Sequence, residues 1–449
     1  MKTEDQRYLK TLVSLAAPIM IQQLFMSGLG MVDAMLVGQL GDTSIAAVAL
    51  AGQVLFLLSL LYFGLSSGSA IFISQFWGKE DVQSIRKVFG LNLMLNGALG
   101  IIFTLLAQLI PTQILGLFTT DPQVIALGSK YLQLYSLGYV FNGLSYGIYV
   151  MLRSTESVKI PMLVGAFALS INTMLGYGLI FGKAGLPVMG IQGAALAYII
   201  SRVIELAIIV AITRFKRPYN LILPEFRIDP VLLKRYISTA FPVAVNELIW
   251  ALGITAFNAI YAHISTEAIT ATNISGTIEN LAFVPFLGLG TATAIMVGKK
   301  IGAGETEEAY RYGKKSLVIS VIMAVVICAT ILLSKGFILD IYKISAAARF
   351  NAHLVITILA FAIIVKTSNF ALIVGTMRAG GDTRYILMVE FGTMWLYGVP
   401  AALISAHIFH LPVYYVAVVI YIEELIKLFF ILRRFFSKHW IHNLAAASE

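Results

Sequence analysis

Apolar residues run along this chain in long blocks, and polar residues gather at the joints between them. A membrane-spanning helix needs roughly 20 mostly apolar residues. Joints marked by charge, glycine and proline divide the chain into twelve such blocks, at residues 12–38, 45–76, 89–110, 124–151, 160–182, 190–213, 232–262, 268–298, 316–336, 350–377, 385–406 and 412–432. The predicted fold class is therefore an all-α polytopic membrane protein with twelve transmembrane helices, solvated by the lipid bilayer. A mixed-charge start from Met1 to Lys10 precedes the first block, which is too long for a signal-peptide core and reads as a retained helix.

The blocks fall into two similar halves. Sliding the chain by 224 positions pairs Pro18 with Pro242, Ile45 with Ile269, Gly52 with Gly276, Gly64 with Gly288, Ala70 with Ala294 and Gly78 with Gly302. Further on the offset grows by one, so that Arg153 matches Arg378. Matched proline and glycine arise by accident less readily than matched leucine. Each half holds six helices, an even number, so the repeats run in the same direction, as in transporters that rock two lobes in a V around a central site. The expected division is a first lobe at 1–215, a linker at 216–231 within the basic stretch Arg214–Arg235 (with Pro218, Pro224 and Pro230), and a second lobe at 232–449. Pro18 and Pro242 each loosen the first helix of a half, as a functional bend or a fixed kink. Gly64 with Gly68 has the spacing of close helix packing.

Composition agrees with the pattern. The 449 residues are 59% hydrophobic and 12% charged, with a mean hydropathy of +0.86, against roughly 25% charged in ordinary soluble domains. The net charge of +9 raises the question of nucleic acid, which the placement of the charges answers. Lys79, Arg86 and Lys87; Arg153 and Lys159; Arg214 to Arg235; Lys299 to Lys315; and Arg378 and Arg384 occupy alternate connections, and both termini are basic. Cytoplasmic loops retain such residues. Both termini are thus expected in the cytoplasm of a cell with the chain in its inner (plasma) membrane, and no nucleic-acid partner is expected. The single cysteine, Cys328, lies within an apolar block and excludes an internal disulfide.

Ionisable groups inside the blocks need a reason, since each costs roughly 2.5–3.5 kcal/mol near the bilayer centre. A carboxyl taken out of water favours its neutral form, which brings proton loading and release within reach of neutral pH. Asp33 lies in the first block, and its repeat partner is Phe257, so the charge belongs to one lobe only. Glu247, in the seventh block opposite Gln23, is the second candidate for cation coupling. Glu279 and Lys366 either line a substrate cavity or form a buried pair. Arg202 with Glu205, and Glu423 with Lys427, stand one turn apart and read as ion pairs. Glu390 is close enough to a block end to reach water. In the fourth block Tyr131, Tyr135, Tyr139, Asn142, Tyr146 and Tyr149 recur at helical spacing. Aromatic rings beside a carboxylate suit organic cations. Tyr135, Tyr139 and Asn142 are the candidates there, with Tyr131 and Tyr149 as interfacial alternatives.

Enzyme signatures are absent: there is no HExxH, Walker loop, CxxC or nucleophile elbow, and the six histidines show no ligand spacing beyond His407 and His410, in a connection without other ligand types. Energy would then come from an ion gradient, without a cofactor beyond H+ or Na+ as the coupling ion.

Several stretches together resemble the multidrug and toxic compound extrusion family over nearly the whole chain. They are APIMIQQLFMSGLGMVDAMLVGQLG from Ala17, GSAIFISQFWGKED from Gly68, MLRSTESVKIP from Met151, LIFG from Leu179, MGIQGAALA from Met189, FPVAVNELIWALG from Phe241 and MRAGGDTR from Met377. The resemblance implies two six-helix lobes and export of small organic, often cationic, compounds in exchange for protons or sodium ions. It places Asp33 on the family's first-helix coupling acid and Asn172 on the polar fifth-helix position. Gly176 stands where several members carry an Asp, and Trp250 where many carry the seventh-helix acid, with Glu247 three residues earlier. A lone Asp33 offers few ligands for sodium, so protons are expected. The alternatives are a lipid-linked saccharide flippase, which would line its cavity with basic residues, and a polytopic membrane enzyme. A monomer is expected.

Overall fold

The computed structural model describes residues 2–216 and 222–446, so Arg217 and Pro218 of the expected linker lie outside the described residues. Every regular element among them is helical: α1 (Lys2–Gly38), α2 (Asp42–Gly78), α3 (Val82–Leu109), α4 (Pro111–Gly116), α5 (Pro122–Ser136), α6 (Tyr139–Ser154), α7 (Lys159–Phe181), α8 (Ile191–Phe215), α9 (Pro230–Ile264), α10 (Thr266–Gly302), α11 (Thr306–Ile341), α12 (Ala346–Leu372), α13 (Thr383–Phe391), α14 (Val399–Leu403) and α15 (Val413–Phe436). Only helices and closed barrels satisfy every backbone polar group within lipid. Large apolar side chains such as Leu109, Leu333 and Met174 accordingly face outward, while small ones such as Ala47, Ala51 and Ala271 are wholly buried.

Ten described helical stretches are long and apolar enough to cross a membrane. The other two of the twelve expected spans have identifiable reasons for falling short. The fourth is divided at Leu137–Gly138 into α5 and α6, and α15 carries Glu423, Glu424 and Lys427 in its middle. The eleventh runs from α13 through α14 with π-helical turns at Gly392–Gly398 and Ile404–Ile408. These flank Pro400, which has no N–H to give the ladder. The repeat is visible in the element bounds: α2 and α10 each have 37 residues, and their ends are displaced by the offset of the sequence repeat.

The chain forms two compact units. One comprises Pro18–Ala244; the other joins Met1–Ala17 to Val245–Glu449. In the first unit α2 packs on the early part of α9 through Gly64 and Gly68. A Cβ on Gly64 would sit 2.4 Å from Ala244 Cα, and one on Gly68 2.3 Å from Ala240 Cβ. The small-residue spacing is thus a packing device.

In the other unit the chain end locks the turn after α12. Trp440 is fully buried, its carbonyl oxygen 2.2 Å from where a Cβ on Gly380 would lie, and the His442 N–H donates to the Gly380 carbonyl at 2.9 Å. Asp382 takes a two-pronged hydrogen bond from Arg434, at 2.7 and 3.2 Å. Burial opposes ionisation of Asp382, but the neighbouring His442 and the Arg434 guanidinium outweigh it and hold the carboxyl below its ordinary value.

Two outcomes are expected in detergent-purified protein. Gly68→Ala lowers the Tm by several degrees, in keeping with about 1–3 kcal/mol of overpacking, whereas Gly276→Ala, with open space at its Cβ, leaves it unchanged or slightly higher. A depressed folded pKa stabilises fully above the ordinary carboxylate range and is lost as pH falls through the folded value. The Tm gap between wild type and Asp382→Asn, measured as a function of pH, therefore holds near neutrality and closes below about pH 4.

Candidate functional site

Asp33 lies in the second half of α1, half-buried, and α7 supplies its partners. Asn172 Nδ2 donates to Asp33 Oδ2 at 2.6 Å, and the Thr173 hydroxyl donates to Oδ1 at 2.9 Å. Consecutive residues on a helix point about 100° apart, so the neighbours of this pair straddle the carboxylate and hold one oxygen each. The carboxylate is fixed by neutral donors and makes no ion pair among the described residues.

A cavity of about 350 Å³ opens beside it, wholly within the Pro18–Ala244 unit. Asp33, Asn172, Tyr131, Tyr135, Tyr198 and Arg202 supply its polar and aromatic lining, and Leu36, Val37, Val48, Leu169 and Ile180 its apolar walls. The rings form a continuous group: Tyr135 is 4.2 Å from Tyr198 and 5.1 Å from Tyr131, centroid to centroid. Arg202 lies 5.4 Å over the Tyr198 ring and is paired with Glu205 at 2.6 Å. Tyr149 donates to the other Glu205 oxygen, also at 2.6 Å. The pair expected between Arg202 and Glu205 is present, and Asp33, on the same cavity wall, has no ion-pair partner among the described residues. Asn172 Oδ1 is buried and accepts no hydrogen bond from the described residues.

The tyrosine row is divided between two helices. Leu137 and Gly138 donate three residues back, to the carbonyls of Leu134 and Tyr135, which ends α5 in a tight turn. A Cβ on Gly138 would lie 2.4 Å from the Tyr198 ring, so the chain turns where α8 presses a ring against it. Tyr131, given an interfacial alternative from its position, is buried and lines the cavity. Tyr139 is wholly buried behind Tyr135, edge to face at 5.9 Å, and accepts a hydrogen bond from Tyr62 at its carbonyl. Asn142 is half-buried on α6, away from the lining. Gly176 is part of the cavity wall. Sequence reading missed Thr173 and Tyr198; their signals were adjacency to Asn172 and the four-residue spacing from Arg202.

Glu247 is not in this group. It accepts from Arg378 Nη2 at 2.7 Å, both side chains being largely buried. The first unit holds the corresponding contact, Arg153 Nη2 to Gln22 Oε1 at 2.6 Å, and both pairs are 131 residues apart in sequence. The structural partner of Glu247 is therefore Gln22, one position from the Gln23 of the ungapped alignment, the same slip that relates the two arginines. Glu279 and Lys366 form an ion pair with each other, and Lys366 lies 5.5 Å over the Tyr421 ring.

Comparison with known proteins finds the same doubled pattern. The family model MatE matches twice, at residues 18–178 and 242–404, beginning at the paired prolines. Two similar curated proteins are the probable multidrug resistance protein NorM of Thermotoga maritima and the probable multidrug resistance protein YoeA of Bacillus subtilis. The first is 24% identical, covering 91% of this chain and 88% of its own. The second is 26% identical, covering 87% and 85%. Among solved structures, an outward-facing multidrug resistance MATE family transporter superposes with a TM-score of 0.85 at 20% identity over 96% of each chain. The eukaryotic MATE transporter AtDTX14 gives 0.83 at 17% identity over 97% of each.

The Gln22–Arg153 contact shows that a neutral amide serves at the place Glu247 occupies. Glu247→Gln is thus expected to keep the Tm within a few degrees of wild type. Glu247→Ala leaves Arg378 unpaired and should lose about 3–5 kcal/mol of stability, read as a much larger fall in Tm in the same thermal scan.

Proposed function

The chain belongs to the MatE family, and from this premise we propose that it is a secondary active antiporter exporting small organic, cationic compounds in exchange for protons by alternating access. The observation that carries the reading is the Asp33 carboxylate, held by Asn172 and Thr173 at the wall of a 350 Å³ aromatic cavity and in no ion pair among the described residues. An unpaired carboxylate in a low-dielectric region favours binding of a positive charge. A proton or an organic cation meets that demand, and if they compete for the same carboxylate, the arrival of one releases the other. Tyr131, Tyr135 and Tyr198 offer ring faces, each worth about 0.5–2 kcal/mol to a cation.

Sodium is the second candidate ion. It takes several oxygen ligands, and Gly176 brings none to the cavity wall, which favours the proton. The flippase reading asks for free basic side chains in the cavity; Arg202, tied to Glu205, is a poor match. The same reading has the chain in the inner membrane with both termini cytoplasmic, supported by the charged connections, and acting as a monomer.

Transport in inside-out vesicles, with a panel of fluorescent cations and separate proton and sodium gradients, tests the proposal. A proton gradient should drive uptake by wild type, and Asp33→Asn should reduce it at least about tenfold, the scale of losing one charge-assisted interaction. Equal uptake by both proteins overturns the coupling role; scrambling of lipid-linked sugars without cation uptake supports the flippase.

A further inference from the structure

The second unit encloses a charge cluster remote from Asp33. Lys427 on α15 meets three carboxylates: Glu390 of α13 at 3.0 Å, Glu423 at 3.1 Å and Glu424 at 3.6 Å. Residues Glu390, Glu423 and Lys427 are 5%, 2% and 3% exposed. Next to them Lys366 pairs with Glu279, which is neutral as a unit. The titratable neighbours on the packed elements are Tyr261, Tyr397 and Tyr421, uncharged as phenols. With every carboxyl ionised, one ammonium thus faces three negative charges, a surplus of two in the interior of a membrane unit. Removing even one such charge from water costs several kcal/mol after relaxation.

Hydrogen bonding divides the three acids. Glu424 uses both oxygens, Oε2 for Asn369 Nδ2 at 2.8 Å and Oε1 for Lys427, as an ionised carboxylate does. The shortest contacts of Glu390 and Glu423 run through Oε1: Lys427 for both, and for Glu423 also the Thr393 hydroxyl at 2.6 Å. Oε2 of each takes no part in these contacts. Asn369, itself 3% exposed and bonded to Glu424, keeps a buried Oδ1 that accepts nothing among the described residues. The group therefore has acceptors in excess of donors as well as negative charge in excess of positive. One ligand class answers both.

We propose that the Glu390–Glu423–Glu424–Lys427 cluster is a proton-binding site of the second unit, with the proton on Oε2 of Glu390 or Glu423. A metal cation fits less well. The Lys427 ammonium already occupies the point on which the carboxylates converge, and no three acidic, histidine or cysteine side chains among the described residues are grouped to hold a metal. Binding is a simple protonation, carboxylate plus proton giving carboxylic acid, and needs no co-reactant. The site is independent of the Asp33 reading.

Infrared spectroscopy of purified full-length protein in the Asp33→Asn background tests it directly. The carbonyl band of protonated carboxyl groups, identified by its shift in D2O, should be present at neutral pH. It should lose the intensity of at least one group in Glu390→Gln/Glu423→Gln, while the melting temperature stays near the parent's. Unchanged intensity in that variant, or in both single variants should the double one fail to fold, overturns the proposal. As a second readout, Lys427→Met leaves three acids without their ammonium. Its Tm should fall at neutral pH and recover towards the parent's on acidification, as more protons bind. A deficit constant across pH counts against the site.

Discussion

A carboxylate in a low-dielectric slab persists only where something satisfies it, and in this protein two neutral donors do so for Asp33. The Asn172 amide and the Thr173 hydroxyl satisfy an oxygen each without contributing a charge. An arginine there would have made a closed ion pair with nothing left to bind. The nearest guanidinium, that of Arg202, is engaged by Glu205, which in turn is held by Tyr149. The aromatic cavity opens beside this charge.

The two halves share a scaffold and use charge differently. Pro18 and Pro242, the small-residue faces and the arginine contacts near the equivalent helices recur in both. Yet the contact is Arg153 with a neutral Gln22 in one half and Arg378 with Glu247 in the other. At the 224-residue offset Phe257 stands opposite Asp33, and the second half instead holds Lys366, Lys427 and four glutamates in two neighbouring ion-pair groups. Conserving the packing while redistributing the ionisable groups gives each unit its own titration chemistry on one helical plan.

Much of the plan was legible along the chain because hydrophobicity is local. The bounds of α2 and α10 follow the 224-residue offset read from paired glycines and isoleucines. Asp33 stood out because a charge inside an apolar block is conspicuous, and the Arg202–Glu205 pair because its partners are one turn apart. What the sequence hid depends on partners far along the chain. The end of α5 at Gly138 is set by the ring of Tyr198, and the tyrosine row, regular in sequence, is divided there. Glu390, near enough to a block end to reach water, is buried because Lys427 comes to it from another helix. Thr173 has no distinguishing mark until α7 is seen to face α1.

The central claim is that the protein's response to an organic cation passes through the charge state of one side chain. Proton release on adding substrate to purified protein in weakly buffered detergent solution measures this without a membrane gradient. The account predicts close to one proton released per cation bound by wild type at neutral pH, and none attributable to binding in Asp33→Asn. Equal release from both proteins, with binding intact, would contradict it.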